Sequence, residues 1–194
     1  EGTIGGEARH PVATVRLRGE GLATEATARN ATAAIEGEAR YADARLEVRS
    51  LVVRSSAGGQ ASFSGTVPLT PEGGSHDLSG VVEGLDLGPL LAIAGMEGRG
   101  PANGRLCVEG PQARPVARAV LDARLALPGS GEPVTVSLTG SGTRDGVTVE
   151  RASALLAGGR VEGAGSYEAR TGAVQARATA EGLHVAQLPL LPAE

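Results

Sequence analysis

Apolar residues recur at every second position through most of the chain, and that period limits what it can fold into more than any motif does. Val15 and Leu17 alternate with Arg16 and Arg18, and Leu46 and Val48 with Arg45, Glu47 and Arg49. Ala61, Phe63, Gly65, Val67 and Leu69 alternate with Ser62, Ser64 and Thr66. In the later half, Leu121, Leu125 and Leu127 are separated by Asp122, Arg124 and Ala126, and Val134, Val136 and Leu138 by Thr135 and Ser137. Ala176, Ala178 and Ala180 are spaced by Arg177 and Thr179. Such alternation gives each strand one apolar and one wet face, and it predicts an antiparallel all-β protein.

The turn chemistry agrees. Asp145-Gly146, between Leu138 and Val147, and Thr171-Gly172, between Tyr167 and Val174, read as hairpin signals. Longer Gly- and Pro-bearing connections fall at 71–75 and 128–133. Residues 23–39, rich in Ala, Thr and Glu, have helical propensity but are assigned to strand, because the corresponding stretch 134–142 is plainly β. Gly88-Pro89, an apolar run 90–94 and Gly95 predict one or two helical turns.

An internal repeat of about 100 residues organises these strands. Ala57-Gly58-Gly59-Gln60 recurs as Ala157-Gly158-Gly159-Arg160, with Gly65 matched by Gly165. Pro11-Val12-Ala13 recurs as Pro115-Val116-Ala117, and Glu83-Gly84-Leu85 as Glu181-Gly182-Leu183. Each copy closes before a Leu pair, Leu90-Leu91 or Leu190-Leu191. Two tandem units are therefore expected, 1–100 and 101–194, joined around 96–104. The chain begins at Glu1 with strand-like sequence almost at once, which reads as a piece of a longer repeat protein.

Bulky packing material is scarce for 194 residues: 30 Gly and 32 Ala stand against one Phe, two Tyr and no Trp. Leu, Ile, Val and Phe total 43, close to the level where disorder becomes the default, but a net charge of −4 lacks the charge half of that signature. All 18 basic residues are Arg, spread among 22 acids, so no basic stripe for nucleic acid exists. The longest apolar stretch, 90–96, is far below the roughly 20 residues of a spanning helix.

The segment Gly84-Leu85-Asp86-Leu87-Gly88-Pro89-Leu90-Leu91, followed by 98–104, by Leu106-Cys107-Val108-Glu109-Gly110 and by a Pro115-led strand, resembles the repeat of TamB and its AsmA-like relatives. The resemblance covers nearly the whole chain in two copies and lies in a spacing of Gly, Leu and Pro rather than in a catalytic residue. It implies tandem antiparallel β repeats forming an elongated, partly open, groove-like structure. It also implies a periplasmic or cell-envelope location, with an inner-membrane anchor outside this sequence. The implied role is phospholipid transfer between inner and outer membranes or outer-membrane protein assembly. The implied partners are phospholipid acyl chains, neighbouring repeats of the same chain and an outer-membrane assembly protein.

The physics of a lipid conduit fits. Each buried methylene of an acyl chain contributes about 0.8 kcal/mol, so an aliphatic groove holds lipid without specific polar contacts. The candidate groove residues are Val15, Leu17, Leu46, Val48, Phe63, Val67, Leu121, Leu125, Val134, Val136, Val147, Val149 and Val174. The alternative architecture is a closed sandwich in which the same residues pack together.

No enzyme, cofactor or metal is expected. His10, His76 and His184 lie far apart, at turns or on the polar phase of strands, and a metal site needs converging ligands. Asp43, Asp77, Asp86, Asp122 and Asp145 are isolated in turns or wet phases. Gly140-Ser141-Gly142 lacks the third glycine of a dinucleotide loop, since that position is Asp145, and strand follows it where a helix is required. Asn30-Ala31-Thr32 is read as a chance sequon. Cys107 alternates with Leu106 and Val108, which puts it on the less apolar face with no histidine near in sequence.

The competing function is a purely structural β-repeat segment of a secreted or surface protein, of adhesin or surface-layer type. Such solenoids have coils of about 20 to 30 residues, often with Asp-rich calcium turns, which this chain does not show. An accessory carbohydrate-binding module would want more exposed aromatic platforms than three rings provide.

Overall fold

The computed structural model describes residues 2–7, 10–22, 32–70, 73–93, 97–128, 130–156 and 158–183. It is an all-β protein. The strands are β1 (Gly2–Glu7), β2 (His10–Leu22), β3 (Ala33–Ala42), β4 (Arg45–Ser55), β5 (Gln60–Pro68) and β6 (Ser75–Asp86). One short helix, α1 (Gly88–Ile93), leads to β7 (Pro101–Pro111), β8 (Val116–Leu125), β9 (Val134–Thr143), β10 (Gly146–Leu156), β11 (Gly159–Glu168) and β12 (Ala173–Glu181).

All twelve strands form one antiparallel sheet in strict chain order, so each strand pairs only with its neighbours in sequence. No second sheet lies on it among the described residues. This is an open meander, and the closed-sandwich alternative does not apply to it. At a spacing of about 4.8 Å per strand, eleven steps carry the sheet roughly 50 Å from edge to edge.

The repeat is visible in the geometry. Strands β1 to β6 and β7 to β12 follow one another in the same order, with α1 between the two sets. Ala61 pairs with Val82 as Val161 pairs with Ala180, and Ile4 pairs with Ala13 as Val108 pairs with Ala117. The two sets share a single sheet, because β6 and β7 are hydrogen-bonded from Ser75↔Pro111 to Asp86↔Pro101. Asp86 fixes that junction: its Oδ1 accepts from the Gly88 N–H at 2.7 Å and the Gly100 N–H at 3.3 Å. The carboxylate thus has a structural role at a part-buried corner.

Bulges fall at matching places. The register slips between Val48 and Leu51 in β4 and between Val149 and Ala152 in β10. Glu-Gly-Leu occurs at 20–22, 83–85 and 181–183, each time with its glycine in the left-handed region, at φ 67°, 59° and 66°. At Gly21 and Gly84 the ladder slips across the glycine, as a bulge of that kind requires.

Several local expectations stand and some shift by a residue. Of 23–39, residues 33–39 are strand, Thr32 precedes it, and 23–31 lies outside the described residues. The expected helical turns are α1. Asp145-Gly146 does mark a hairpin, but its two-residue loop is Arg144-Asp145, since Gly146 already pairs with Thr143. A Cβ on Gly146 would stand 2.1 Å from the Tyr167 carbonyl oxygen, so glycine is needed there for close strand approach. Leu69 lies just beyond β5, and Leu127 just beyond β8.

The β3–β4 hairpin turns through Asp43 and Ala44, both left-handed at φ 50° and 57°. Left-handed backbone costs alanine about 1 kcal/mol relative to glycine. Ala44→Gly is therefore expected to stabilise the chain by about 1 kcal/mol and raise the thermal midpoint by about 2–4 °C, as thermal denaturation followed by circular dichroism will show.

Candidate functional site

Directly opposed residues in an antiparallel pair project from the same face, so the register assigns every strand position to one side of the sheet. Starting from Phe63, the chain of pairs Leu51↔Phe63, Gly37↔Leu51 and Leu17↔Gly37 reaches Leu17 on the same face. In the other direction it runs Phe63↔Gly80, Gly80↔Leu106, Leu106↔Ala119 and Ala119↔Gly140, and then through Val149↔Gly140 and Val149↔Gly165 to Gly165↔Ala176. The register places Val15, Leu17, Leu46, Val48, Phe63, Val67, Leu121, Leu125, Val134, Val136, Val147, Val149 and Val174 all on this side.

The same side carries Ile35, Tyr41, Leu51, Val53, Leu78, Val82, Leu106, Val108, Leu138, Val161 and Tyr167, which completes an apolar strip from β2 to β12. Leu51 and Val53 escape a simple alternation count because the β4 bulge moves the apolar phase from even to odd positions.

The strip is only partly enclosed. No described side chain is less than 2% exposed. Ala61, Val82, Ala102, Leu125 and Val134 are buried, and they gather at the end of the strip where α1 joins β6 to β7. Towards the sheet edges the strip opens to solvent: Val15 is 48% exposed, Val147 50% and Val174 71%. Side chains lie flat across glycines: a Cβ on Gly80 would fall 2.5 Å from the Phe63 ring, and one on Gly104 2.6 Å from Leu121 Cδ2. Glycine rows therefore let the larger residues spread over the strip rather than stand up from it.

The opposite face is mainly polar, with Val52, Val81, Val120 and Leu155 among its apolar exceptions. Glu38 sits between two guanidinium groups, receiving Arg49 at 2.8 Å and Arg16 at 3.2 Å. Arg49 and Arg40 extend this ladder to Glu47, and Arg54 reaches Glu36 at 3.4 Å. On the second copy Arg118 meets Glu109 at 2.7 Å, and the Ser137 hydroxyl donates to Asp122. Hydrogen bonds from Arg49 and then Arg16 hold the Glu38 carboxyl below the usual glutamate range. A carboxyl depressed in the fold contributes stability above its unfolded pKa, and that contribution is lost as pH falls through the folded value. Titration followed by NMR is expected to find Glu38 protonating at lower pH than free glutamate, and Arg49→Gln to move it back upward.

Among the described residues no three His, Cys, Asp or Glu side chains are arranged to hold a metal ion. His76 departs from the expected polar phase: it pairs with Gly110, two positions from Leu78↔Val108, and so lies half-buried at the end of the apolar strip. His184 and Asn30-Ala31 lie outside the described residues. Cys107 is on the polar face, opposite Ser79 and Arg118. No described helix is long and apolar enough to cross a membrane. No family model, curated protein or solved structure gives a significant match to this chain. The geometry of the uncovered strip is thus the feature from which function is argued.

Proposed function

We propose that the apolar strip is a binding surface for phospholipid acyl chains, and that this chain acts without chemistry of its own as a segment of a periplasmic, envelope-spanning scaffold of the TamB and AsmA-like type. The scaffold would pass phospholipid between inner and outer membranes or serve outer-membrane protein assembly. The observation that carries the reading is one apolar face, continuous through both repeat copies, over which no second sheet is packed among the described residues. Large uncovered apolar patches are unusual on a soluble monomer and mark interaction surfaces. A strip several side chains wide and free of buried polar partners suits ligands recognised by their length of hydrocarbon.

Photo-crosslinking with a diazirine-bearing phosphatidylethanolamine presented in vesicles tests this. Adducts are expected on strip residues of both copies, such as Leu46, Phe63, Leu121 and Val136, and not on Ser62, Ser64 or Thr135 of the polar face. Absence of adducts, or equal labelling of both faces, would replace transport with the structural-repeat reading.

A further inference from the structure

Among the described residues the sheet ends at two edge strands, β1 and β12, and the molecule contains its own template for how such edges meet. The internal junction pairs β6, the last strand of the first copy, with β7, the first strand of the second. Strand β12 is the counterpart of β6: Gly65↔Leu78 corresponds to Gly165↔Ala176, and Ala61↔Val82 to Val161↔Ala180. Strand β1 is the counterpart of β7, as the pairs Ile4↔Ala13 and Val108↔Ala117 show. We propose that the β12 edge receives the β1 edge of a second copy of this chain, extending the sheet head to tail.

The register of that contact follows from the junction. Leu78↔Val108 translates to Ala176 opposite Ile4 of the second copy. The remaining pairs run from Ala178 opposite Gly2 to Ala173 opposite Glu7, with Arg177 opposite Thr3. No two like charges are opposed in this alignment, and each apolar-phase residue of β12 meets an apolar-phase position of β1.

No described strand pairs with the outer side of β12. Strand β12 pairs with β11 over nine residues with no register slip, and every one of its residues is exposed. It has no proline, no lysine and no charge on its apolar phase, which are the usual devices that stop an edge strand from recruiting another. Because the contact joins two different surfaces by a translation along the sheet, it is heterologous and does not close on itself.

Two single-cysteine proteins, Thr3→Cys and Arg177→Cys, each with Cys107→Ser, test the register. Mixed and oxidised, they are expected to give a disulfide-linked dimer, while Thr3→Cys mixed with Gln175→Cys or Thr179→Cys gives little. Sedimentation of the unmodified chain is expected to show mass rising stepwise with concentration. Gln175→Pro and Ala176→Pro complete the test, because alternate N–H groups of an edge strand point outward and one of this neighbouring pair leaves the β11 ladder intact. The variant that keeps its β spectrum is expected to lose association. A chain monomeric at all concentrations with no 3–177 crosslink overturns the proposal. So do 3–3 or 177–177 dimers exceeding the 3–177 product, or a Thr3→Cys, Arg177→Cys double variant that closes on itself at the lowest concentration.

Discussion

Phe63→Asp and Val136→Asp are expected to abolish most phospholipid crosslinking while lowering the thermal midpoint by only a few degrees. Both residues are half-buried on the apolar strip of an uncovered sheet, so a carboxylate at either position reaches water by a small rotation. In a closed core the same charge would cost several kcal/mol, enough to unfold a domain of ordinary marginal stability. An acyl chain lying across the strip, by contrast, would have to desolvate the new charge or leave that section empty. The loss falls on binding rather than on folding, and that separation is the signature of an open surface. Controls belong on the polar face, and their neighbours decide which are fair. Thr135→Asp faces Arg124, and Ser64→Asp faces Ser79, so neither meets a like charge. Ser137 is unsuitable because its hydroxyl donates to Asp122 and a carboxylate there would be repelled. The controls are expected to change neither crosslinking nor melting. Equal effects from both faces would remove the support for lipid binding.

The all-β class, the hairpins and the membership of the apolar face were legible in the sequence because period-two alternation is a property of single strands. Val134, Val136 and Leu138 announce their face without any knowledge of what lies beside them. What lies beside them was not legible. Alternation specifies one face to be kept from water but not whether another sheet or a ligand covers it, so the open meander emerges only from the pairing. Where two apolar residues adjoin, period also fails: Val81-Val82 and Leu155-Leu156 each split between the faces, leaving Val81 and Leu155 exposed on the polar side. The Glu38 ladder was hidden for a different reason, since it joins Arg16, Glu38 and Arg49 from three strands whose register no local pattern fixes. The glycines fall between these cases. Their recurrence at Gly58-Gly59 and Gly158-Gly159 revealed the repeat, but not why glycine is required.

That requirement leads to the largest expected effect on stability. Gly59 has φ 78°, and a Cβ there would stand 2.2 Å from both the carbonyl carbon and oxygen of Gly84 and 2.4 Å from the Leu85 nitrogen. These are backbone atoms of the β6 bulge, and β6 is held by β5 on one side and β7 on the other, so they cannot yield cheaply. Left-handed strain and overpacking each cost about 1–3 kcal/mol, so Gly59→Ala is expected to destabilise by about 3 kcal/mol or more. Its counterpart Gly159 meets the same Glu-Gly-Leu backbone at 2.5–2.6 Å, but at the end of β12, whose only partner among the described strands is β11. Gly159→Ala is expected to cost less, because β12 can move outward without breaking a second ladder. Gly131→Ala, with no atom within 4 Å of the new Cβ, is expected to be near neutral. Because each strand is hydrogen-bonded only to its sequence neighbours, damage at the β5–β6 border also interrupts the sheet in the middle, and sheets of this one-dimensional kind lose cooperativity when an internal interface weakens. Urea unfolding of Gly59→Ala is therefore expected to show a lower midpoint and a shallower or two-step transition, while Gly159→Ala shifts the midpoint with little change in slope. A Gly59→Ala protein with an unaltered transition would mean that β5 and β6 do not approach as closely as their pairing requires.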